Sequence, residues 1–367
     1  MNARARSAVV GAAALVLGLT AGGTTYADDF DPKEIYERSA PGTVHVLGRT
    51  GSGTGFVYDA DRGLIATAAH VVQGEASLKA VVGDRPAAPV RVVGIDPCED
   101  LAVLTFTSPQ SDLKAVEFGD SKDMQAADEV VALGYPASLG SQGETQKPAF
   151  TSGSVQNPSV NDAEPSPSLP RYPSTIQHSA TINPGNSGGP LFNTDNKVVG
   201  INVLSVTGDT QGQFYSISSD HARPILDTLA GGQVKNDPGW RLKAVDDPTV
   251  IDEFGPDDQA EVEARQKRLV AGNATGVLVV GVTSNSPAAK ADLQLMDLMT
   301  AMKDSPVNSV GEVCDVLQSA GPGETVPLEG MYTFDDPQEN VKFGDGWTTN
   351  LVLNKNSGGG GAGRAGS

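Results

Sequence analysis

A serine hydroxyl is a weak nucleophile unless the backbone presents it and a neighbour takes its proton. One stretch of this 367-residue chain has the residue types for presentation: Ile182-Asn183-Pro184-Gly185-Asn186-Ser187-Gly188-Gly189-Pro190-Leu191. Gly185 and Gly188 admit backbone angles that other residues resist, and Pro184 fixes its own φ and stiffens the entry. Such a turn can aim the N–H groups of Gly185 and Ser187 at one point, an oxyanion hole beside the Ser187 hydroxyl. The same residues would also suit a glycine-rich hairpin with a solvated serine. A base and an orienting acid elsewhere in the chain must decide.

The chain has four histidines, His45, His70, His178 and His221, any of which could be a structural imidazole. His70 ends the apolar run 64–72 where the chain turns, a place that can project a ring into a cleft. His45 lies mid-strand, and His221 opens a helix. An acid must then hold the imidazole in one tautomer and stabilise its charged form. Asp100 stands directly before Leu101-Ala102-Val103-Leu104, so a buried strand would fix its carboxylate; Asp96, beside the turn at Pro97, is the rival. The order His70, Asp100, Ser187 is that of chymotrypsin-type enzymes.

These residues need a rigid frame. Strand-like runs at 43–47, 51–58, 64–72, 79–82, 90–95, 101–106, 129–133, 150–155, 174–177, 198–203 and 214–217 are separated by Gly, Pro and Asp turns. Short strands at this spacing imply an all-β barrel or sandwich. Residues 157–174, with five prolines and no apolar periodicity, interrupt the pattern; because strand signals resume at once, they are expected to be a long loop within the β-domain. A short helix over 221–229 closes that domain, and 231–239 reads as a linker. Beyond it come a charged helix at 257–269, a strand at 276–282, and short helices from a Ser286 cap with Pro287 at N1 and over 309–319.

Composition narrows the function. A formal charge of −19 argues against a nucleic-acid partner, which wants a basic surface. With 43 Gly, 24 Pro and 5% aromatics, the chain suits strands and turns rather than helical bundles. Residues 1–27 read as a secretory signal: Arg4 and Arg6, an apolar stretch over 8–20, and Thr25-Tyr26-Ala27 as a cleavage site. The apolar stretch is short of the ~20 residues of a membrane span. Cleavage after Ala27 would take the charge from −19 to −21. Cys98 and Cys314, far apart and in separate domains, are expected to stay unpaired although export would permit a disulfide. There is no metal-ligand cluster, phosphate-binding glycine loop or dinucleotide fingerprint, so no cofactor is expected. Residues 355–367 form a Gly-rich tail unable to build a core.

Three segments together resemble the HtrA (Deg) family of trypsin-like serine proteases: Thr67-Ala68-Ala69-His70-Val71-Val72, Glu99-Asp100-Leu101-Ala102-Val103-Leu104 and the Ser187 turn. Phe118-Gly119-Asp120-Ser121, Val130-Val131-Ala132-Leu133-Gly134-Tyr135-Pro136 and Val199-Gly200-Ile201-Asn202 match in the same order, so the resemblance covers about residues 35–230. It implies a chymotrypsin-like double β-barrel over 28–232, with His70, Asp100 and Ser187 as base, orienter and nucleophile, and Gly185 and Ser187 N–H groups binding the oxyanion. It also implies hydrolysis of unfolded or damaged proteins through an acyl-enzyme, without ATP or metal, in an exported location: extracellular, periplasmic or cell-envelope. Homotrimers are common in the family, and Phe30 and Tyr36 could serve such contacts or pack on their own barrel.

Further details follow from the resemblance. Asn186 stands where digestive enzymes carry an Asp that pairs with a newly cut N-terminus; Asn cannot, so control is expected from the loops 137–141 and 157–174, ordering the oxyanion hole when substrate binds. Thr181 and Ile182 are expected at the pocket for the residue before the cut, and their chemistry favours a modest apolar side chain there. His178 departs from the acidic or small residue expected at its place and reads as a structural imidazole. Residues 233–354 resemble a linker and a divergent PDZ domain, a small α+β fold, through Gly276-Val277-Leu278-Val279-Val280, Ser286-Pro287-Ala288-Ala289-Lys290-Ala291-Asp292-Leu293 and Met296-Asp297-Leu298-Met299-Thr300-Ala301. Gly239-Trp240-Arg241-Leu242 is the candidate carboxylate-binding loop for peptide C-termini. A narrow processing protease and a peptide-binding, chaperone-like protein with its protease held idle are the alternatives.

Overall fold

Two antiparallel six-stranded barrels lie in series along the chain, each closed on itself. The computed structural model describes residues 31–49, 51–137, 147–203, 212–338 and 340–355. The secretory signal, Phe30, four residues of the 137–141 loop and nearly all of the Gly-rich tail lie outside the described residues. From Pro32 onward the chain is one compact unit.

A short helix, α1 (Pro32–Ser39), leads into the first barrel. That barrel comprises β1 (Thr43–Leu47), β2 (Ser52–Asp59), β3 (Leu64–Ala68), β4 (Leu78–Val82), β5 (Ala88–Asp96) and β6 (Leu101–Phe106), in the order β1-β2-β3-β6-β5-β4. Pairing of β1 with β4 closes it, so neither edge is left to template other chains. Alternate residues point inward, and Val44, Val46, Val57, Ile65, Ala102 and Leu104 share its core. The run 64–72 is not one strand: β3 stops at Ala68 and a single helical turn, α2 (Ala69–Val72), carries His70. The cause is local, since Ala69 N–H leaves the ladder and donates to the Asp100 carbonyl at 3.0 Å.

The second barrel comprises β7 (Glu129–Gly134), β8 (Ala149–Val160), β9 (Thr175–His178), β10 (Pro190–Phe192), β11 (Val198–Asn202) and β12 (Phe214–Ser218), closed where Leu191 of β10 faces Ala132 of β7. β8 runs on to Val160, so the proline-rich loop begins at Asn161 rather than at Asn157. Asn157 and Val160 pair with β9 across two register shifts, an irregular ladder that hides strand alternation from the sequence. Helix α3 (Ser219–Leu229) follows.

The C-terminal part is a six-stranded antiparallel sheet with helices. Its strands are β13 (Trp240–Ala244), β14 (Val277–Val282), β15 (Leu298–Met302), β16 (Ser305–Pro306), β17 (Thr325–Met331) and β18 (Gly346–Val352), in the order β13-β14-β15-β17-β18 with β16 on β15. Its helices are α4 (Gln259–Ala271), α5 (Pro287–Lys290) and α6 (Val310–Ser319). The Ser286 hydroxyl accepts from Ala289 N–H at 3.1 Å, the N-cap that the sequence implied for α5. Ser309 caps α6 in the same way, through Glu312 N–H at 3.2 Å.

The linker is strapped to the first barrel: Ile95 N–H donates to Gln233 and Ile95 accepts from Lys235, a short parallel bridge on β5. One expectation fails here. Cys98 and Cys314 form a disulfide across 216 residues. Strand and helix patterns carry no information on how two domains face each other, and here the loop before Asp100 abuts α6.

Candidate active site

Asp100 sits at the tight corner between β5 and β6, with a left-handed φ of 52° and 1% exposure. Its Oδ1 accepts the His70 backbone N–H at 2.9 Å, and its two oxygens lie 3.0 and 2.8 Å from His70 Nδ1. A carboxylate in this position holds the proton on Nδ1 and leaves Nε2 bare as an acceptor. The rival Asp96 is buried but occupied otherwise: its Oδ1 accepts from Cys98 N–H at 3.2 Å and from the Asn236 amide at 2.9 Å, pinning the corner and the linker.

The other histidines lie elsewhere. His45 stacks on Tyr135 with ring centroids 4.6 Å apart, and burial lowers its pKa. His178 is fully buried, with Nε2 2.9 Å from Ser216 Oγ, and burial pushes its pKa down to about 4, so the ring is neutral in the barrel. His221 Nε2 lies 2.8 Å from Oε2 of Glu99, the residue before Asp100.

Ser187 belongs to the second barrel's connection from β9 to β10. Pro184 and Gly185 form a turn in which Gly185 has φ 97°, and a Cβ there would run into the Tyr135 carbonyl. Gly188 has φ 83°, and a Cβ would meet the Thr54 carbonyl and the Thr67 hydroxyl. Both glycines are therefore required by geometry. Thr54 N–H donates to the Ser187 carbonyl at 2.9 Å, and Thr54 Oγ1 donates to Gly185 O at 2.7 Å and accepts Tyr135 N–H at 2.9 Å. Gly188 N–H donates to Asn202 O, and Asn202 N–H to Gly189 O, both at 2.8 Å. The turn is thus bolted to β2 of the first barrel and β11 of the second. Among the described residues, the Gly185 and Ser187 N–H groups have no internal acceptor. Asn186 is buried against Gly134.

His70, Asp100, Gly185 and Ser187 line one cavity of about 600 Å³. The sequence-expected pocket residues do not: Thr181 is exposed, and Ile182 packs in the second barrel's core with Val130, Ile176 and Leu191. The cavity continues along the C-terminal domain, where Trp240, Arg241 and Leu242 of β13 and Val310, Val313 and Leu317 of α6 line it. Gly239, with φ 84°, enters that strand; Trp240 is buried beside Val313 and Leu317, and Arg241 pairs with Glu253 at 2.9 Å. Tyr36, considered for contacts between copies, donates to the Pro148 carbonyl of its own chain at 3.1 Å.

Two functional neighbours escaped the sequence reading. Thr54 lies in the strand-like run 51–58, but nothing in that run pointed to its bonds with Ser187, Gly185 and Tyr135. Tyr172, from the proline-rich loop, donates its hydroxyl to Asp100 Oδ2 at 2.8 Å. Burial and the adjacent carboxylate raise the phenol's pKa well above its usual value, which keeps the donor protonated.

Residues 53–201 match the family described as a trypsin-like peptidase domain, and residues 240–341 match the PDZ domain. The chain is 32% identical over 300 residues to the serine protease Do-like HtrA of Bacillus subtilis, covering 80% of this chain and 64% of that protein. It is 29% identical over 306 residues to the putative serine protease HhoA of Synechocystis, covering 82% and 73%. A probable periplasmic serine endoprotease, DegP-like, of Pseudomonas fulva is 31% identical over 309 residues, covering 81% and 58%. The chain thus spans less than two thirds of the Bacillus and Pseudomonas relatives.

Proposed function

We propose, for a chain that belongs to the HtrA/DegP serine protease family and carries a trypsin-like peptidase domain followed by a PDZ domain, that it is an exported endopeptidase. It hydrolyses peptide bonds of unfolded or damaged polypeptides through an acyl-enzyme on Ser187. The observation that carries this reading is that Ser187 and the Asp100-held ring of His70 line one cavity, with the Gly185 and Ser187 N–H groups free of internal acceptors among the described residues.

In the proposed reaction His70 Nε2 takes the Ser187 proton as Oγ attacks the scissile carbonyl. The developing oxyanion is met by the Gly185 and Ser187 N–H groups, on a turn that the Thr54 and Asn202 bonds hold. Asp100 stabilises the imidazolium, which then gives its proton to the leaving amine. Water repeats the sequence to release the acid.

An extended chain suits this cavity, because it runs from Ser187 to the face between β13 and α6. The Trp240–Leu242 strand is a place where a peptide C-terminus could add to a sheet edge. Export is supported by the leader-like residues 1–27, by a disulfide suited to an oxidising compartment, and by the periplasmic relatives. Among the described residues no helix is long and apolar enough to cross a membrane.

A fluorophosphonate probe should label the protein once, at Ser187, and Ser187→Ala should abolish both labelling and cleavage of unfolded casein. Absence of labelling in the wild type would leave an idle, peptide-binding protein as the better reading. Cleavage confined to one folded partner would favour narrow processing.

A further inference from the structure

Among the described residues the Asp100 carboxylate has three donors, and two of them belong to His70. The third is the phenol of Tyr172, which is 1% exposed and comes not from the barrel that holds Asp100 but from the loop between β8 and β9. Tyr172 is fixed in place by a two-way backbone bridge with Ala163, at 3.0 and 2.8 Å. A carboxylate can only accept, so the phenol donates.

The loop's path is set from the C-terminal domain. Arg171, next to Tyr172, pairs with Asp315 of α6 at 2.9 Å and lies 3.8 Å from Glu164. The Pro167 carbonyl accepts Val310 N–H in the first turn of α6 at 2.8 Å, and Ser168 Oγ accepts Ala244 N–H of β13 at 2.9 Å. Two adjacent α6 residues are therefore linked to the same acid by separate routes. Cys314 does so through Cys98, two positions before Asp100, and Asp315 through Arg171, one position before Tyr172.

We propose that Tyr172 is a positioning residue for the hydrolysis, holding the Asp100 carboxylate in the rotamer that grips His70 Nδ1, and that α6 of the C-terminal domain sets it through the Arg171–Asp315 pair. This rests on the protease reading above. Without the hydroxyl, Oδ2 keeps one donor and the buried carboxylate can rotate out of line with the imidazole. A charge-assisted hydrogen bond is among the stronger ones in a protein, and its loss is felt when the imidazolium forms rather than when substrate binds. The effect therefore belongs in kcat.

The test is Tyr172→Phe in the full chain, beside Asp315→Asn and the double variant, with wild-type casein cleavage and phosphonate labelling as reference. Tyr172→Phe is expected to lower kcat about 10- to 100-fold with KM within twofold, and to move the low-field NMR resonance of the His70 Nδ1 proton. Asp315→Asn, which touches neither Asp100 nor His70, should lower kcat about two- to fivefold. The double variant should be no slower than Tyr172→Phe, because the anchor acts only through the phenol. A Tyr172→Phe enzyme within twofold of wild type in kcat overturns the proposal while leaving the protease reading intact. So does a slower enzyme whose loss tracks a lowered melting temperature with the proton resonance unmoved. An additive double variant overturns the α6 part. A wild-type chain that neither labels nor cleaves removes the protease reading itself, and the proposal with it.

Discussion

Asp100 in the protease part and Asp297 in the C-terminal part are both buried almost completely, as is Asp96, yet Asp100 and Asp297 are treated in opposite ways. Asp100, in the first barrel, is 1% exposed and receives the His70 backbone N–H, the His70 ring and the Tyr172 phenol. Asp297, in the C-terminal sheet, is 3% exposed; its Oδ2 accepts Gln294 N–H at 2.8 Å, while Oδ1 has no partner among the described residues. Burial pushes the Asp297 carboxyl up to about 6, with Asp292 adding to the rise. A buried acid is a tool where donors converge on it and a burden where they do not. The convergence at Asp100 draws on both barrels, so it needs the whole fold; Asp297 is served only by its own turn.

The largest way to break the comparison is to neutralise Asp100. Asp100→Asn keeps the shape but offers one acceptor instead of two, so the imidazole loses its fixed tautomer. By the general behaviour of such triads kcat should fall on the order of 10⁴-fold, read as initial rates on a fluorogenic peptide. Asp96→Asn, at the same corner, should stay within a few-fold, because Asp96 is bonded to Cys98 and Asn236 and not to His70. If the two substitutions exchanged effects, the orienting acid would be Asp96.

What the sequence disclosed of this contrast follows the range of the interactions. Ser187 was legible because its requirements are local: two glycines at positive φ, and a proline, within a few residues. Asp100 was legible because β6 begins at the next residue. Strand spacing disclosed an all-β barrel or sandwich, and the double barrel came only with the family resemblance; β8's shifted register concealed where that strand ends. Tyr172 was not legible, since its partner lies 72 positions away and nothing in Arg171-Tyr172-Pro173 distinguishes a donor to a buried carboxylate from a loop tyrosine. The disulfide failed for the same reason, compounded by the assumption that separate domains keep separate cysteines. Ile182, next to the motif and expected at a pocket, is found packed in the barrel core, a burial that the motif alone does not announce.

The second experiment cuts the tie between the two regions. In the chain-entropy picture a cross-link over 216 residues stabilises by about 5 kcal/mol, and native bridges usually contribute roughly 2–4. The Cys98→Ala/Cys314→Ala protein should therefore lose about 3 kcal/mol in chemical denaturation, with calorimetry resolving the barrels and the C-terminal sheet as two transitions. Asp100 should then lose part of its support, seen as a lower kcat, while Asp297 should be unaffected. A loss below ~1 kcal/mol with one undivided transition would mean that the remaining contacts already hold the domains together.

The smallest effect concerns Asp297. Its folded carboxyl titrates near 6, against about 3.9 in the unfolded chain. Between those values the folded state holds more protons, so stability from this group falls as pH rises from about 4 to about 6 and stays low above that. Each unit of difference corresponds to about 1.4 kcal/mol, and relaxation around the group brings the expected loss to about 2 kcal/mol. Asp297→Asn removes the titration and retains an acceptor for Gln294 N–H. Urea denaturation at pH 4 and pH 7.5 should show that the wild type loses about 2 kcal/mol more than the variant on going up in pH. Were the two to fall together, the orphaned Oδ1 would have a donor after all, and the contrast with Asp100 would narrow to the histidine and the phenol alone.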